Sequence, residues 1–261
     1  MSAKPRISII TIAFNNASDV EPTLQSVVNQ DYPEIEYIVV DGASTDGTVE
    51  IIKRYEAQID ELISEPDDGM YEAINKGIAR ATGNIVGLIH AGDRLYSNDI
   101  VGRIAEKFRQ QEIDAIYAHS VLVDSNDQVV RVNRSPEFSL GAIRRGWMPS
   151  HQSIYMRKSV IVQNGDYRTD LGPNADYEFF VRHFYKYPIR VARLDDFVVR
   201  FALGGSSTTN YSKLFHRQRI HANCWRINGL DPPFYLIPLK LARKGPQFIR
   251  GLIRRLGDSR G

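Results

Sequence analysis

The sequence is poor in the features that mark secreted, membrane-spanning or cysteine-scaffolded proteins. Its 261 residues include one cysteine, Cys224. That excludes an intrachain disulfide and any Cys-based zinc site, and it suits a reducing compartment. No apolar run approaches the roughly 20 residues of a membrane-spanning helix. The run at residues 7–14 is short and flows into Asn15-Asn16, so no signal peptide is expected. No Gly-x-Gly-x-x-Gly follows the first apolar run, which argues against a dinucleotide-binding domain. Gly42-x-x-x-x-Gly47 has Thr48 where a phosphate loop needs lysine, so an NTPase P-loop is not expected. A cytoplasmic protein is the expectation.

What is present fits a soluble globular chain. Hydrophobic residues make up 43% and charged residues 25%, enough apolar material for a sizeable core and no bias toward disorder. The formal net charge of +2 is unevenly spread: residues 231–261 carry a net +5 and the remaining 230 a net −3. The body is thus slightly acidic and shows no RNA- or DNA-binding motif, so nucleic acid is not an expected partner.

Residues 6–12, 35–40, 59–64 and 84–89 are Ile- and Val-rich and bounded by turn residues, which predicts strands. Between them, Val20, Leu24, Val27 and Val28 fall at helical spacing behind a Ser18-x-x-Glu21 capping box. Val49, Ile52 and Tyr55 mark a second helix, and Met70, Ile74, Gly77 and Ala81 a third. Strand and helix in alternation predict a parallel sheet wrapped by helices, with ligands at the strands' carboxyl edge. The back half predicts shorter strands at residues 113–118, 121–124 and 129–133, the last two joined by a turn at Ser125-Asn126-Asp127. A helix is expected over residues 176–185 and a last strand over 197–202, followed by a flexible Gly204-Gly205-Ser206-Ser207.

Two carboxylates end predicted strands. Asp41 closes "IVVD", where it can accept from a base N–H or a ribose hydroxyl. Asp46 in the same stretch reads as a cap for the following helix. Asp93 ends "IVGLIHAGD", and two readings apply to it. It either caps a helix beginning near Ser97-Asn98 or serves as a hard oxygen ligand for Mg²⁺ or Mn²⁺, which take one or two carboxylates plus phosphate oxygens. The small Ala91 and Gly92 would admit a ligand close to the backbone. Asp176 stands in the first turn of its helix, where a negative charge is favourable whatever its role.

"SIITIAFNNA", "VVDGASTDGT", "SEPDDGMYEAINKGIARATGNIVGLIHAGD" and "NADYEFFVR" occur in the order and spacing of family 2 glycosyltransferases with the GT-A fold, and the chain resembles that family over roughly residues 5–205. The resemblance implies a GT-A α/β fold, with a mostly parallel central sheet flanked by helices. It implies a catalytic domain over 1–208, divided near residue 95 into a nucleotide half and an acceptor half, and a basic helical extension over 209–261. Asp41 looks like the family's base-binding aspartate and Phe14 like the residue flanking the nucleobase. Asp67 and Asn75 fall in the segment beneath the nucleotide. His90-Ala91-Gly92-Asp93 occupies the place of the Asp-x-Asp-type motif, with Ala91 lining the donor and Asp93 matching the metal-binding aspartate. Gly92 replaces the aspartate that usually contacts ribose, and His90 replaces an asparagine. Asp176 matches the catalytic base, and Glu178 should point elsewhere. Trp147 and His151 in "GWMPSHQS" read either as acceptor contacts or as residues on the rim of the core. His216 reads as a diphosphate contact if its segment folds back. His119, His183 and His221 have no usable ligand spacing and read as structural.

The implied activity is metal-dependent, inverting transfer of a hexosyl or N-acetylhexosaminyl group. The donor would be a nucleotide-sugar, a UDP-sugar first, and the acceptor a saccharide or lipid-linked molecule in surface polysaccharide synthesis. Two rivals stay open. A sugar-1-phosphate nucleotidyltransferase would need a Gly-rich basic loop after strand one, and "AFNNASDV" has neither glycine nor a basic residue. A non-catalytic saccharide-binding or scaffold protein on the same fold is favoured by Gly92 and disfavoured by the intact Asp93 and Asp176. In the tail, Phe248, Ile249, Leu252, Ile253 and Leu256 repeat at helical spacing beside Arg250, Arg254 and Arg255. That pattern either lies on the anionic inner face of the cell membrane or packs on the catalytic domain.

Overall fold

The computed structural model describes residues 4–187, 189–203 and 214–233, with the side chains of 214–219 excepted. It separates into two compact units, one of residues 1–138 and 149–209, the other of 139–148 and 210–261.

The first unit is built on one nine-stranded sheet. In chain order the first half comprises β1 (Ile7–Ala13), α1 (Val20–Val28), β2 (Ile35–Asp41), α2 (Thr48–Lys53), β3 (Glu61–Ser64), α3 (Met70–Arg80), β4 (Ile85–His90), β5 (Arg94–Leu95) and α4 (Ile100–Gln110). β3, β2, β1 and β4 lie side by side in that order, all parallel. The continuous apolar runs of β1, β2 and β4 arise because these strands are covered on both faces. On one face Ile7, Ile9, Tyr37, Val39 and Ile85 pack with Leu24 and Val27 of α1, Ile52 of α2 and Ile104 and Phe108 of α4. α3 packs on β1 and β2 through buried Ile74 and Ile78.

The back half of this unit contributes β6 (Ala115–Val123) and β7 (Val129–Asn133). The other unit interrupts here with α5 (Leu140–Arg144). The first unit then resumes with β8 (Ile154–Arg157), α6 (Lys158–Asn164), α7 (Ala175–Val181) and β9 (Val191–Ala202). β8 enters antiparallel beside β4 and connects it to β6, which pairs in parallel with β9. Three local expectations change. Residues 113–118 and 121–124 belong to one strand, whose register shifts at His119 as a bulge would require. The last strand starts at Val191 rather than 197. The Ser18/Glu21 capping box does not form: the Ser18 hydroxyl goes to Asp19, and Glu21 accepts from the Tyr55 hydroxyl. His119 is structural, taking the Ser135 N–H at Nδ1 and facing Asp195 with Nε2.

At the amino edge of the sheet Glu36 is buried and receives the Ser8 and Thr82 hydroxyls and the Thr82 and Gly83 N–H groups. Burial works against its charge, but those four donors prevail and hold the carboxyl below its ordinary value. In the second unit α5 begins at Ser139, whose Oγ accepts the Ala142 N–H at 3.1 Å, and α8 spans Leu214–Ile227. Among the described residues no helix is long and apolar enough to cross a membrane. The glycine-serine stretch at 204–207, the His216 side chain and the basic stripe at 248–256 lie outside the described residues.

Candidate active site

β1, β2 and β4 stop at one edge of the sheet, where the loops that follow them come together. The loop after β1 is stitched to the loop after β2. Asn15 N–H donates to Ser44 Oγ at 2.8 Å, Asn16 N–H to Thr48 Oγ1 at 2.8 Å and Ala17 N–H to Asp46 Oδ2 at 3.0 Å. In return Asn15 Oδ1 accepts the Thr45 N–H at 2.9 Å. The N-cap of α2 is Gly47 rather than the expected Asp46, which accepts the Thr48 N–H one residue further out and holds the neighbouring loop at once.

Asp41 is wholly buried at the end of β2. Its Oδ2 accepts the Ser44 N–H at 3.0 Å and the Ser64 hydroxyl at 2.8 Å, and its Oδ1 accepts the Ser44 hydroxyl. Oδ1 therefore retains one lone pair beyond these three bonds. Phe14 stands open beside it, 64% exposed, an uncovered ring at a strand's carboxyl end. Gly42 explains how close the walls come: a Cβ there would lie 2.7 Å from Asp67 Oδ2 and 3.2 Å from the Phe14 ring. Phe14, Gly42 and Asp67 thus converge, with Asp67 steadied by the Gly69 N–H at 2.9 Å. Asn75 faces another way. Its amide donates to the Tyr167 carbonyl at 2.8 Å and accepts the Tyr167 N–H at 3.0 Å, clamping the loop before α7 onto α3.

After β4 the chain turns at Ala91-Gly92. Ala91 N–H still bonds to Ile12, extending the β1 pairing, and Gly92 takes a φ of 98° that favours glycine. Thr23 of α1 fixes this turn by accepting the Gly92 N–H at 3.0 Å and donating to the Asp93 carbonyl at 2.6 Å. The Asp93 carboxylate does not cap α4. Its Oδ2 accepts from the Gln152 amide at 2.7 Å and its Oδ1 from the Ala202 N–H at 3.0 Å. Burial raises its pKa to about 6, although both hydrogen bonds pull the other way. Among the described residues no cationic side chain pairs with it, and no cluster of three metal-ligating side chains forms. A half-buried carboxylate short of counter-charge suits a hard divalent cation whose remaining ligands are phosphate oxygens and water.

His151 meets His90, Nε2 to Nε2, at 2.9 Å. Burial lowers the pKa of both rings; each His90 proton is further disfavoured by His151, whereas the Asp176 charge partly restores His151. That influence places Asp176 electrostatically beside His151, whose neighbour Gln152 bonds Asp93. Asp176 lies in the first turn of α7, partly exposed, with Oδ1 on the Tyr177 N–H at 2.7 Å. Glu178 points inward, as expected, and is bidentate to Arg182 at 2.8 and 3.0 Å. Arg182 also donates to the carbonyls of Asn164, Gly165 and Asp166, so this buried pair secures the segment that Asn75 clamps. Trp147 belongs to the second unit. Sequence reasoning singled out neither Thr23 nor the bond from Gln152 to Asp93. The only local signal was that Gln152 follows His151.

The chain matches the family described as "Glycosyl transferase family 2" over residues 8–164. An uncharacterized glycosyltransferase of Mycobacterium tuberculosis is 33% identical over 188 residues, 70% of each chain. A PGL/p-HBAD biosynthesis glycosyltransferase of Mycobacterium bovis is 29% identical over 219 residues, 82% of this chain and 83% of that one. Among solved structures, S. aureus TarS 1–349 in complex with UDP is similar at a TM-score of 0.71 and 20% identity, over 92% of this chain and 71% of that one. A mannosyltransferase from Pyrobaculum calidifontis, in complex with GDP-Man and Mn²⁺, reaches a TM-score of 0.62 at 19% identity, over 92% and 70%. The two structural likenesses are likenesses of fold.

Proposed function

The chain belongs to glycosyl transferase family 2, and from that premise we propose that it is a divalent-cation-dependent, inverting transferase using a nucleotide-sugar, a UDP-sugar first, as donor. The observation that carries the reading is Asp93, a half-buried carboxylate just past the end of β4 that is oriented by two N–H donors and left without a cationic partner among the described residues. Bound Mn²⁺ or Mg²⁺ supplies positive charge against the departing diphosphate.

The remaining work falls to the chain's own residues. Phe14 flanks the nucleobase and Asp67 lies beneath the nucleotide. Asp41 accepts a base N–H with the free lone pair of Oδ1. Ala91, with no side chain beyond Cβ, lets the donor approach the turn. Asn75 acts through the loop it clamps. Asp176 takes the proton of an acceptor hydroxyl as that oxygen attacks the anomeric carbon. The bond to the diphosphate breaks on the opposite side, configuration inverts, and no covalent enzyme intermediate forms. His151 keeps company with Asp176, while Trp147 and His216 stay candidate contacts for acceptor and diphosphate. The transferred group is a hexose or N-acetylhexosamine. A saccharide or lipid-linked acceptor is supported by the relative named for PGL/p-HBAD biosynthesis, and the basic tail would hold the enzyme at the membrane surface that carries such an acceptor.

Thermal shift with UDP, GDP and their sugars, with and without Mn²⁺, tests the donor. A ligand at 100 times its dissociation constant stabilises by about 2.7 kcal/mol, and no shift with any nucleotide would reject the reading. Deleting residues 246–261 should abolish co-sedimentation with anionic vesicles while leaving donor hydrolysis intact; unchanged vesicle binding removes the membrane role.

A further inference from the structure

We propose that Gln152 is the positioning residue that aims the Asp93 carboxylate at the divalent cation, a role resting on the reading of Asp93 given above. Gln152 is 4% exposed and sits in a 3-10 turn over His151–Ser153, just ahead of β8. Its Oε1 accepts the His90 N–H at 3.0 Å, and its Nε2 donates to Asp93 Oδ2 at 2.7 Å. The amide has one possible orientation here. A backbone N–H is a donor only, so Oε1 must face it and Nε2 must face the carboxylate. The side chain therefore acts as a strut of fixed length between the backbone of β4 and the functional group three residues further on. Ala202 N–H holds the other carboxylate oxygen from the end of β9, and the two donors together fix the carboxylate plane.

The chemistry of the strut is selective. A lysine or arginine in its place would orient Asp93 but also neutralise it, competing with the cation. A glutamate would turn a second acceptor toward Asp93. An asparagine is one methylene too short to reach both partners. A neutral amide supplies orientation and leaves the full negative charge available. Outer-sphere donors of this kind are worth about 10–100-fold in metal affinity.

The test uses Gln152→Met and Gln152→Asn in the full chain, with Mn²⁺ and UDP as probes. Half-saturating Mn²⁺ for UDP binding, measured by calorimetry, should rise about 10–100-fold in both variants, and UDP affinity at saturating Mn²⁺ should return toward wild type. Val101→Ala, a change in the core under α4, should lower the melting temperature and leave half-saturating Mn²⁺ where it was. If Gln152→Met does not fold, Gln152→Asn decides. An unchanged Mn²⁺ requirement in a folded Gln152 variant, or an equal shift in Val101→Ala, overturns the assignment while leaving Asp93 in place. A wild-type protein that binds UDP without any Mn²⁺ dependence brings down the Asp93 reading, and the strut falls with it.

Discussion

Acidifying the protein should weaken its hold on the cation in a way set by one residue. In the proposed reading a proton and a metal ion compete for the Asp93 carboxylate, and burial has raised its pKa to about 6. At about pH 7.5 nearly every molecule presents the ionised form, whereas at about pH 5 only about one in eleven does. Half-saturating Mn²⁺ should therefore rise by about tenfold across that interval, most of it below pH 6. The probe should be the UDP-sugar giving the largest thermal shift, because both its phosphates are esterified and have no proton to exchange in this range. Calorimetric titration of that donor at a series of Mn²⁺ concentrations and pH values gives the curve directly. Without cation the sign for stability reverses. The folded-state pKa lies above the ordinary 3.8, so the contribution of Asp93 to folding is fully present below about pH 4 and is lost as pH rises through about 6. Asp93→Ala should lack both effects. A half-saturating Mn²⁺ that stays flat from pH 7.5 to 5 would refute the reasoning: either Asp93 does not bind the cation, or its burial does not govern its protonation.

Asp176→Asn should leave the fold and donor affinity intact and cut turnover by about 10²–10⁴-fold; near-normal turnover in single-turnover assays would move the base elsewhere. Glu178→Gln should act on stability instead, because breaking a buried pair such as Glu178–Arg182 costs about 3–5 kcal/mol, read as a lower melting temperature with turnover per folded molecule preserved. Asp41→Ala should weaken UDP binding about ten- to a hundredfold and also lower the melting temperature, since Ser44 and Ser64 lose their acceptor; unchanged UDP affinity would reject its role. Glu36→Gln should melt lower than wild type at neutral pH. Because the folded-state pKa of Glu36 is below the ordinary 4.5, that difference should shrink as pH falls beneath it, and a pH-independent difference would contradict the account of its four donors.

The first half of the fold was legible because its strands are covered on both faces and so read as unbroken apolar runs, with α3 showing its period through Met70, Ile74 and Gly77. The back half resisted for local reasons. The bulge at His119 divided one strand into two apparent ones, and Arg193, Asp195 and Asp196 gave the start of β9 the composition of a loop. At the candidate site, Asp41, Asp93 and Asp176 could be named because motifs mark strand ends and helix starts. The distant partners of Asp93 and Asn75 were not: Gln152 lies 59 residues from Asp93, Ala202 109, and Tyr167 92 from Asn75. Periodicity spans a few turns of helix or a few steps of strand, and no pattern of that reach connects such pairs.

The reciprocal bonds between residues 15–17 and 44–48 have a consequence for how this enzyme can diversify. Each loop supplies both donors and acceptors to the other, so neither keeps its shape when its counterpart is exchanged. A chimaera that imports only one of them from a relative with a different nucleotide leaves Asn15, Ser44 or Asp46 facing a stranger. Recombination would have to carry the two segments across together, and a library that varies either one should vary both as one cassette. The unit of inheritance at this edge of the sheet is a pair of loops separated in sequence by a whole helix and strand.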